Sequence, residues 1–79
     1  MTDQELIGAR IASARTLRKM RQIDLAHAIG VNDQTISNWE TGLRAPRADF
    51  LRELCRTLDC SADYLLGLSD SISGADSKL

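Results

Sequence analysis

Residues 31 to 42 read VNDQTISNWETG, and five of them, Asp33, Gln34, Ser37, Asn38 and Thr41, carry polar groups at helical spacing. At roughly 100° per residue, Ser37 lies about 40° from Asp33, Thr41 about 80°, Gln34 about 100° and Asn38 about 140°, so the five share one side. Ile36 and Trp39 fall at about 300° and 240° and point the opposite way. A helix face that only needs solvating usually carries lysine and glutamate. Amides and hydroxyls both donate and accept, which suits a flat edge with fixed donors and acceptors. The fork of a Gln or Asn matches adenine through two hydrogen bonds, at about 1–3 kcal/mol of discrimination for a good pair. The rival reading of the stripe is an indifferent surface that happens to lack charge.

Catalytic chemistry has little to build on. No Ser, Cys or carboxylate pair sits with a plausible base, and no glycine-rich phosphate loop is present. Cys55 and Cys60, five apart, have no second pair or neighbouring histidine to complete a zinc site, and are read as buried reduced thiols. His27 is read as solvent-facing. Neither a cofactor nor a metal is expected. With 79 residues there is room for one small core, and no apolar run approaches the ~18 residues of a membrane span. The N-terminus lacks a secretory pattern, and the final Ser77-Lys78-Leu79 is taken as a chance likeness to a peroxisomal address, so a soluble cytoplasmic protein is expected. The net charge of −1 weighs against a nucleic-acid partner, but its distribution matters more. Residues 1 to 47 hold seven basic and five acidic side chains, whereas residues 48 to 79 hold three and six.

The elements that must position the stripe are helical. Thr2-Asp3-Gln4-Glu5 reads as a capping box, opening a helix whose face is Ile7, Ile11, Ala14 and Leu17, with an expected end near Lys19. Gln22 to Ile29 is a second helix, stopped by Gly30. Asn32 caps a third that carries the stripe to about Thr41, where Gly42 closes it. Pro46 then keeps the loop extended. Phe50, Leu51, Leu54, Cys55 and Leu58 mark a fourth helix, and Ser61 caps a fifth carrying Tyr64, Leu65, Leu66 and Leu68. The expected fold is all-α, a compact five-helix domain over residues 1 to 68. Residues 69 to 79, small and polar, are expected to be a flexible tail or the start of a linker.

Within Gln22 to Thr41, Ala26, Gly30 and Ile36 take the fifth, ninth and fifteenth places of a twenty-residue window. Alanine lets two helices cross closely, glycine makes the sharp turn between them, and Ile36 returns the later helix to the core. This spacing is a helix-turn-helix, whose second helix can enter the major groove.

Here the sequence resembles the lambda-type repressor and Cro helix-turn-helix proteins, the Xre family. IGARI, Arg15, QIDLAHAIGV, ISNWETG, RAP and CSADYLLG fall in that family's order and spacing over roughly residues 6 to 67. Within the family, the N-terminal domains of temperate-phage repressors look most similar. The resemblance implies a compact lambda-repressor-like domain in a bacterial or phage-infected cell, associated with the nucleoid. It implies base contacts by Asp33, Gln34, Ser37 and Asn38, and phosphate contacts by Gln22, Asn32, Thr41 and Arg44, with Arg21 beside them. It also implies a partly buried ion pair between Arg15 and Glu40. Arg10, Arg18, Lys19 and Arg47 are weaker phosphate candidates, equally well read as solvated. Asp33 departs from a DNA-facing surface, since its charge opposes phosphate. It could accept a bond from cytosine or reject wrong sequences, and the sequence leaves both open.

The expected function is therefore sequence-specific regulation of transcription on double-stranded DNA, by a phage-type repressor acting as a dimer on a palindromic operator. Tyr64, Leu65, Leu66 and Leu68 offer more apolar surface than the fifth helix needs, which predicts a weak homodimer through that region. The alternatives are the antitoxin of a toxin-antitoxin pair and an interaction module that keeps the fold without binding DNA.

Overall fold

The computed structural model describes residues 1 to 73, and within them the chain forms five helices and no strand. Helix α1 spans Asp3–Leu17. Its start is the expected capping box, with Glu5 N donating to Thr2 Oγ1 at 3.1 Å and Thr2 N to Glu5 Oε1 at 2.8 Å. It stops two residues before the sequence suggests, because Lys19 takes a left-handed φ of 60° that reverses the chain. Helix α2 spans Gln22–Ile29 and ends at Gly30, whose φ of 81° is costly for residues with a Cβ. Helix α3 spans Asp33–Thr41, capped by Asn32, whose Oδ1 accepts from Thr35 N at 2.8 Å.

Helix α4 spans Ala48–Leu58 and α5 is a single turn, Ala62–Leu65, capped by Ser61. Ile11 and Ala14 of α1, Leu25 and Ala26 of α2, Ile36 and Trp39 of α3, Leu54 and Leu58 of α4, and Tyr64 and Leu65 of α5 form one core. Each buried Leu or Ile there contributes about 1.5–3 kcal/mol relative to exposure. The all-α architecture of residues 1 to 68 is therefore a pooling of one face from every helix.

Two corrections concern the C-terminal end. Tyr64 and Leu65, expected on a dimer surface, are 8% and 0% exposed. A one-turn helix has too few residues to divide between a core and a second interface, so its two largest side chains go inward. Residues 69 to 73, expected to be a loose tail, are held against the domain. Arg10 donates to Ser69 O at 2.8 Å and to Asp70 Oδ1 at 2.9 Å, Ser61 N donates to Ile72 O at 2.8 Å, and Ile72 packs on the core. The rest of the expected tail, residues 74 to 79, lies outside the described residues.

Cys55 and Cys60 are free thiols, each half-buried. Burial pushes both up, Cys60 to about 11 with its neighbour Cys55 adding to the shift. Among the described residues, no helix is long and apolar enough to cross a membrane.

Candidate nucleic-acid interface

The site is built on α3, and α1 fixes where α3 lies. Gly8, in the middle of α1, is where the two backbones meet. A Cβ at this position would collide with the carbonyl oxygens of Trp39 and Glu40. Glycine in a helix is ordinarily destabilising by about 0.5–1 kcal/mol, and here it permits a contact that no other residue allows. Gly42, with φ of 84°, ends α3 against the backbone of Glu5 in the same close manner.

A polar network locks this crossing. Arg15 Nε and Nη2 donate to the two oxygens of Glu40 at 2.6 and 3.0 Å, and Nη1 donates to Met20 O at 2.8 Å. The side chains are 17% and 8% exposed, so the pair is largely desolvated. The Glu40 carboxylate, accepting from the guanidinium, pushes the Arg15 pKa further up. Gln22 Nε2 also donates to Glu40 Oε1, at 3.0 Å, tying the first residue of α2 into the same network. The expected pair is thus accompanied by a third member that the sequence did not reveal, since a contact between residues 22 and 40 has no local signature. Arg15 has three of its five donors committed inside the protein.

With Ile36 and Trp39 at 0% and 4% exposure, α3 turns its other side outward. Asp33, Gln34 and Thr41 are exposed, and Ser37 and Asn38 are half-buried at the edge of the same face. Gln34 Nε2 donates to Asn38 Oδ1 at 3.0 Å, which leaves Gln34 Oε1 and the Asn38 amide hydrogens for an external partner. Thr41 Oγ1 donates to Asn38 O at 3.2 Å. The stripe therefore presents both donors and acceptors over two turns of helix.

The residues expected at phosphates are placed as follows by their own bonds. Arg21 precedes α2 and pairs through two bonds of 3.0 Å with Asp24, which also accepts from Arg21 N at 2.8 Å. That guanidinium holds the Asp24 carboxyl down to about 2. Asn32 has its Oδ1 taken by α3 and its amide hydrogens left over. Arg44 is exposed and makes no side-chain hydrogen bond or ion pair among the described residues. It lies with Arg47 on an open cleft of about 340 Å³, together with Thr35, Asn38, Ala45 and the rings of Trp39 and Phe50. Arg47 stacks over Phe50 at 5.1 Å and pairs with Asp49 at 3.0 Å, so it belongs to the same rim.

Two weaker candidates are placed elsewhere by their bonds. Arg10 lies 4.5 Å over the Tyr64 ring and holds the C-terminal segment. Arg18 donates to Leu58 O and Asp59 O, both at 2.8 Å, and so satisfies carbonyls at the end of α4. Lys19 and His27 are exposed.

Comparison with known proteins places the chain in a family and a fold. The family described as "Helix-turn-helix" matches residues 11–65. Repressor protein C2 of Salmonella phage P22 is 40% identical over 62 residues, which are 78% of this chain and 29% of that protein. The HTH-type transcriptional regulator ImmR of Bacillus subtilis is 33% identical over 67 residues, 85% of this chain and 52% of that protein. The chain thus spans less than two thirds of the length of either relative. Among solved structures, the P22 c2 repressor protein in complex with synthetic operator 9T superposes with a TM-score of 0.76 at 39% identity, covering 81% of this chain and 97% of that one.

Proposed function

The chain belongs to the Xre-type helix-turn-helix family, that of lambda-type repressors and Cro, and from that premise we propose that it is a sequence-specific double-stranded DNA-binding domain of a transcriptional repressor. The observation that carries this is the outward face of α3, where Gln34, Ser37, Asn38 and Thr41 stand uncharged while positive charge sits beside the helix at Arg44 and Arg47, on the cleft shared with Thr35, Asn38 and Trp39. Neutral donors and acceptors discriminate bases, and flanking cations supply the salt-dependent attraction to phosphate. The P22 relative is named a repressor, and its solved complex contains an operator.

In this scheme α3 enters the major groove. Asp33, Gln34, Ser37 and Asn38 meet base edges, and Gln22, Asn32, Thr41, Arg21 and Arg44 hold the strands on either side. Gln22 sits at the N-terminus of α2, where free backbone donors favour an anion. One domain reads only a few base pairs, so two copies on a palindrome, with half-sites about 34 Å apart, give the needed specificity. Leu66 and Leu68, 38% and 74% exposed just beyond α5, are the apolar residues left for that contact. The domain represses by covering the operator and excluding polymerase, with no cofactor and no catalysis.

Selecting bound sequences from a random duplex pool tests this reading. A short palindromic consensus, bound with an affinity that falls steeply as salt rises, is the expected result. No binding to any duplex at ~50 mM salt would show that the fold serves another partner. Sedimentation that stays monomeric both free and on the selected site would remove the dimer.

A further inference from the structure

Between Gln22 and Phe50 the chain carries four carboxylates, and three of them are neutralised by arginine: Asp24 by Arg21, Glu40 by Arg15 and Asp49 by Arg47. The fourth, Asp33, is exposed at the start of α3 and has no cation or hydrogen-bond partner among the described residues. Its position on the stripe places it beside Gln34 and Ser37, on the face that Ile36 and Trp39 leave outward. The fold has no need of it as a cap, because Asn32 already closes the end of α3 through Thr35 N. An unpaired negative charge on a face built to approach polyanionic DNA weakens every complex in which nothing donates to it.

Resting on the DNA-binding reading above, we propose that Asp33 is a specificity determinant acting by exclusion, admitting only base pairs that present an amino group to it. A carboxylate accepts hydrogen bonds and cannot donate. In the major groove, cytosine presents the N4 amino donor alone and adenine its N6 amino donor beside the N7 acceptor, whereas guanine O6 and N7 and thymine O4 are acceptors. Opposite an amino group the carboxylate is satisfied. Opposite an acceptor it is stripped of water against like partial charge, with no cation paired to it among the described residues to offset the cost. Asp33 therefore sacrifices affinity for all DNA and recovers it only at the matching sequence. The competing explanation is a plain helix effect, in which an acidic first residue complements the α3 dipole. That role would survive in Glu and affect stability without touching sequence preference.

The test is random-duplex selection and binding measured in parallel on wild type, Asp33→Asn and Asp33→Glu, with thermal unfolding of each. Wild type should show one half-site position depleted in guanine and thymine on the strand facing α3. Asp33→Asn, which donates as well as accepts, should lose that depletion and bind random duplex several-fold more tightly, with a roughly tenfold smaller ratio of selected to random affinity, the low end of the discrimination one base contact provides. Asp33→Glu should keep the preference for an amino group. If Asp33→Asn selects the same site with an unchanged ratio, exclusion by Asp33 is wrong while DNA binding stands. If the wild type selects no sequence at all, the DNA reading fails and takes this inference with it.

Discussion

Arg10 and Arg15 of α1 and Arg18 just past its end carry the same charge as Arg21, Arg44 and Arg47 around the helix-turn-helix, and the two sets are employed in opposite ways. The first three donate across the fold: to the Tyr64 and Ser69 carbonyls and the exposed Asp70 carboxylate, to the Glu40 carboxylate and Met20 carbonyl, and to the end of α4. The second three are exposed, and where they have partners these are the Asp24 and Asp49 carboxylates within three residues along the chain, which a phosphate could replace. Formal charge is thus a poor index of the field a nucleic acid would meet. Three of the seven basic residues in the N-terminal half join helices together, which leaves an overall charge of −1 compatible with a locally basic rim.

This contrast is broken most directly at Glu40. Glu40→Ala strands the Arg15 guanidinium in a desolvated place, so unfolding by urea should show a loss of about 3–5 kcal/mol. Replacing both partners with apolar residues of similar volume should cost less than that single change. A loss below about 1 kcal/mol for Glu40→Ala would put Arg15 among the surface arginines after all. Arg10→Ala should follow, at about 1.5–3 kcal/mol for charged hydrogen bonds removed from a partly buried site. It should also speed hydrogen exchange at the Ser61 amide, whose acceptor is Ile72 O in the segment that Arg10 holds. Unchanged exchange there would mean that Ile72 alone anchors residues 69 to 73.

On the outer face the same scale of energy should appear in binding and not in folding. Gln34→Ala should relax preference at one or two base pairs, at about 1–3 kcal/mol of discrimination. Arg44→Ala should weaken selected and unselected duplexes alike and lower the salt slope by about one, with no change in unfolding. If both variants lowered affinity uniformly, the division between reading and positioning residues would be wrong.

How far the sequence revealed this division follows from the range of the interactions. The helix-turn-helix was legible because Ala26, Gly30 and Ile36 each answer a local steric demand, and the caps at Thr2, Asn32 and Ser61 are local hydrogen bonds. The inward and outward sides of α3 were legible for the same reason, being a matter of helical period. Pairings across the fold were not. Arg10 meets Asp70 at a separation of 60 residues, and Arg18 meets Leu58 at 40. In sequence they look like the solvated arginines of any helix. Tyr64 and Leu65 misled in the other direction, since apolar residues near the end of a chain can serve a core or a partner, and only the shortness of α5 decided it. Gly8 carried a signal in its type alone, a glycine amid good helix formers, without saying that α3 lies against it.

The smallest expected effect tests the comparison at its boundary, where Arg21 belongs to the exposed set yet has a partner. Asp24 titrates at about 2 in the folded chain, below the usual carboxylate range, first because the Arg21 side chain donates to it and then because the Arg21 amide does. A depressed folded value means that the pair contributes stability above the ordinary carboxylate pKa of about 3.9 and loses it as pH falls through about 2. The difference in stability between wild type and Asp24→Asn should therefore be present at pH 7, shrink between about pH 4 and pH 2, and vanish below. It should be small throughout, as for exposed ion pairs generally. Binding should move the opposite way at neutral pH, since Asp24→Asn frees a guanidinium beside the end of α2 proposed to meet a phosphate and so raises affinity for any duplex. A variant that lost both stability and affinity would show Asp24 holding Arg21 in position for the phosphate, and Arg21 would then be a joining residue as well as a binding one.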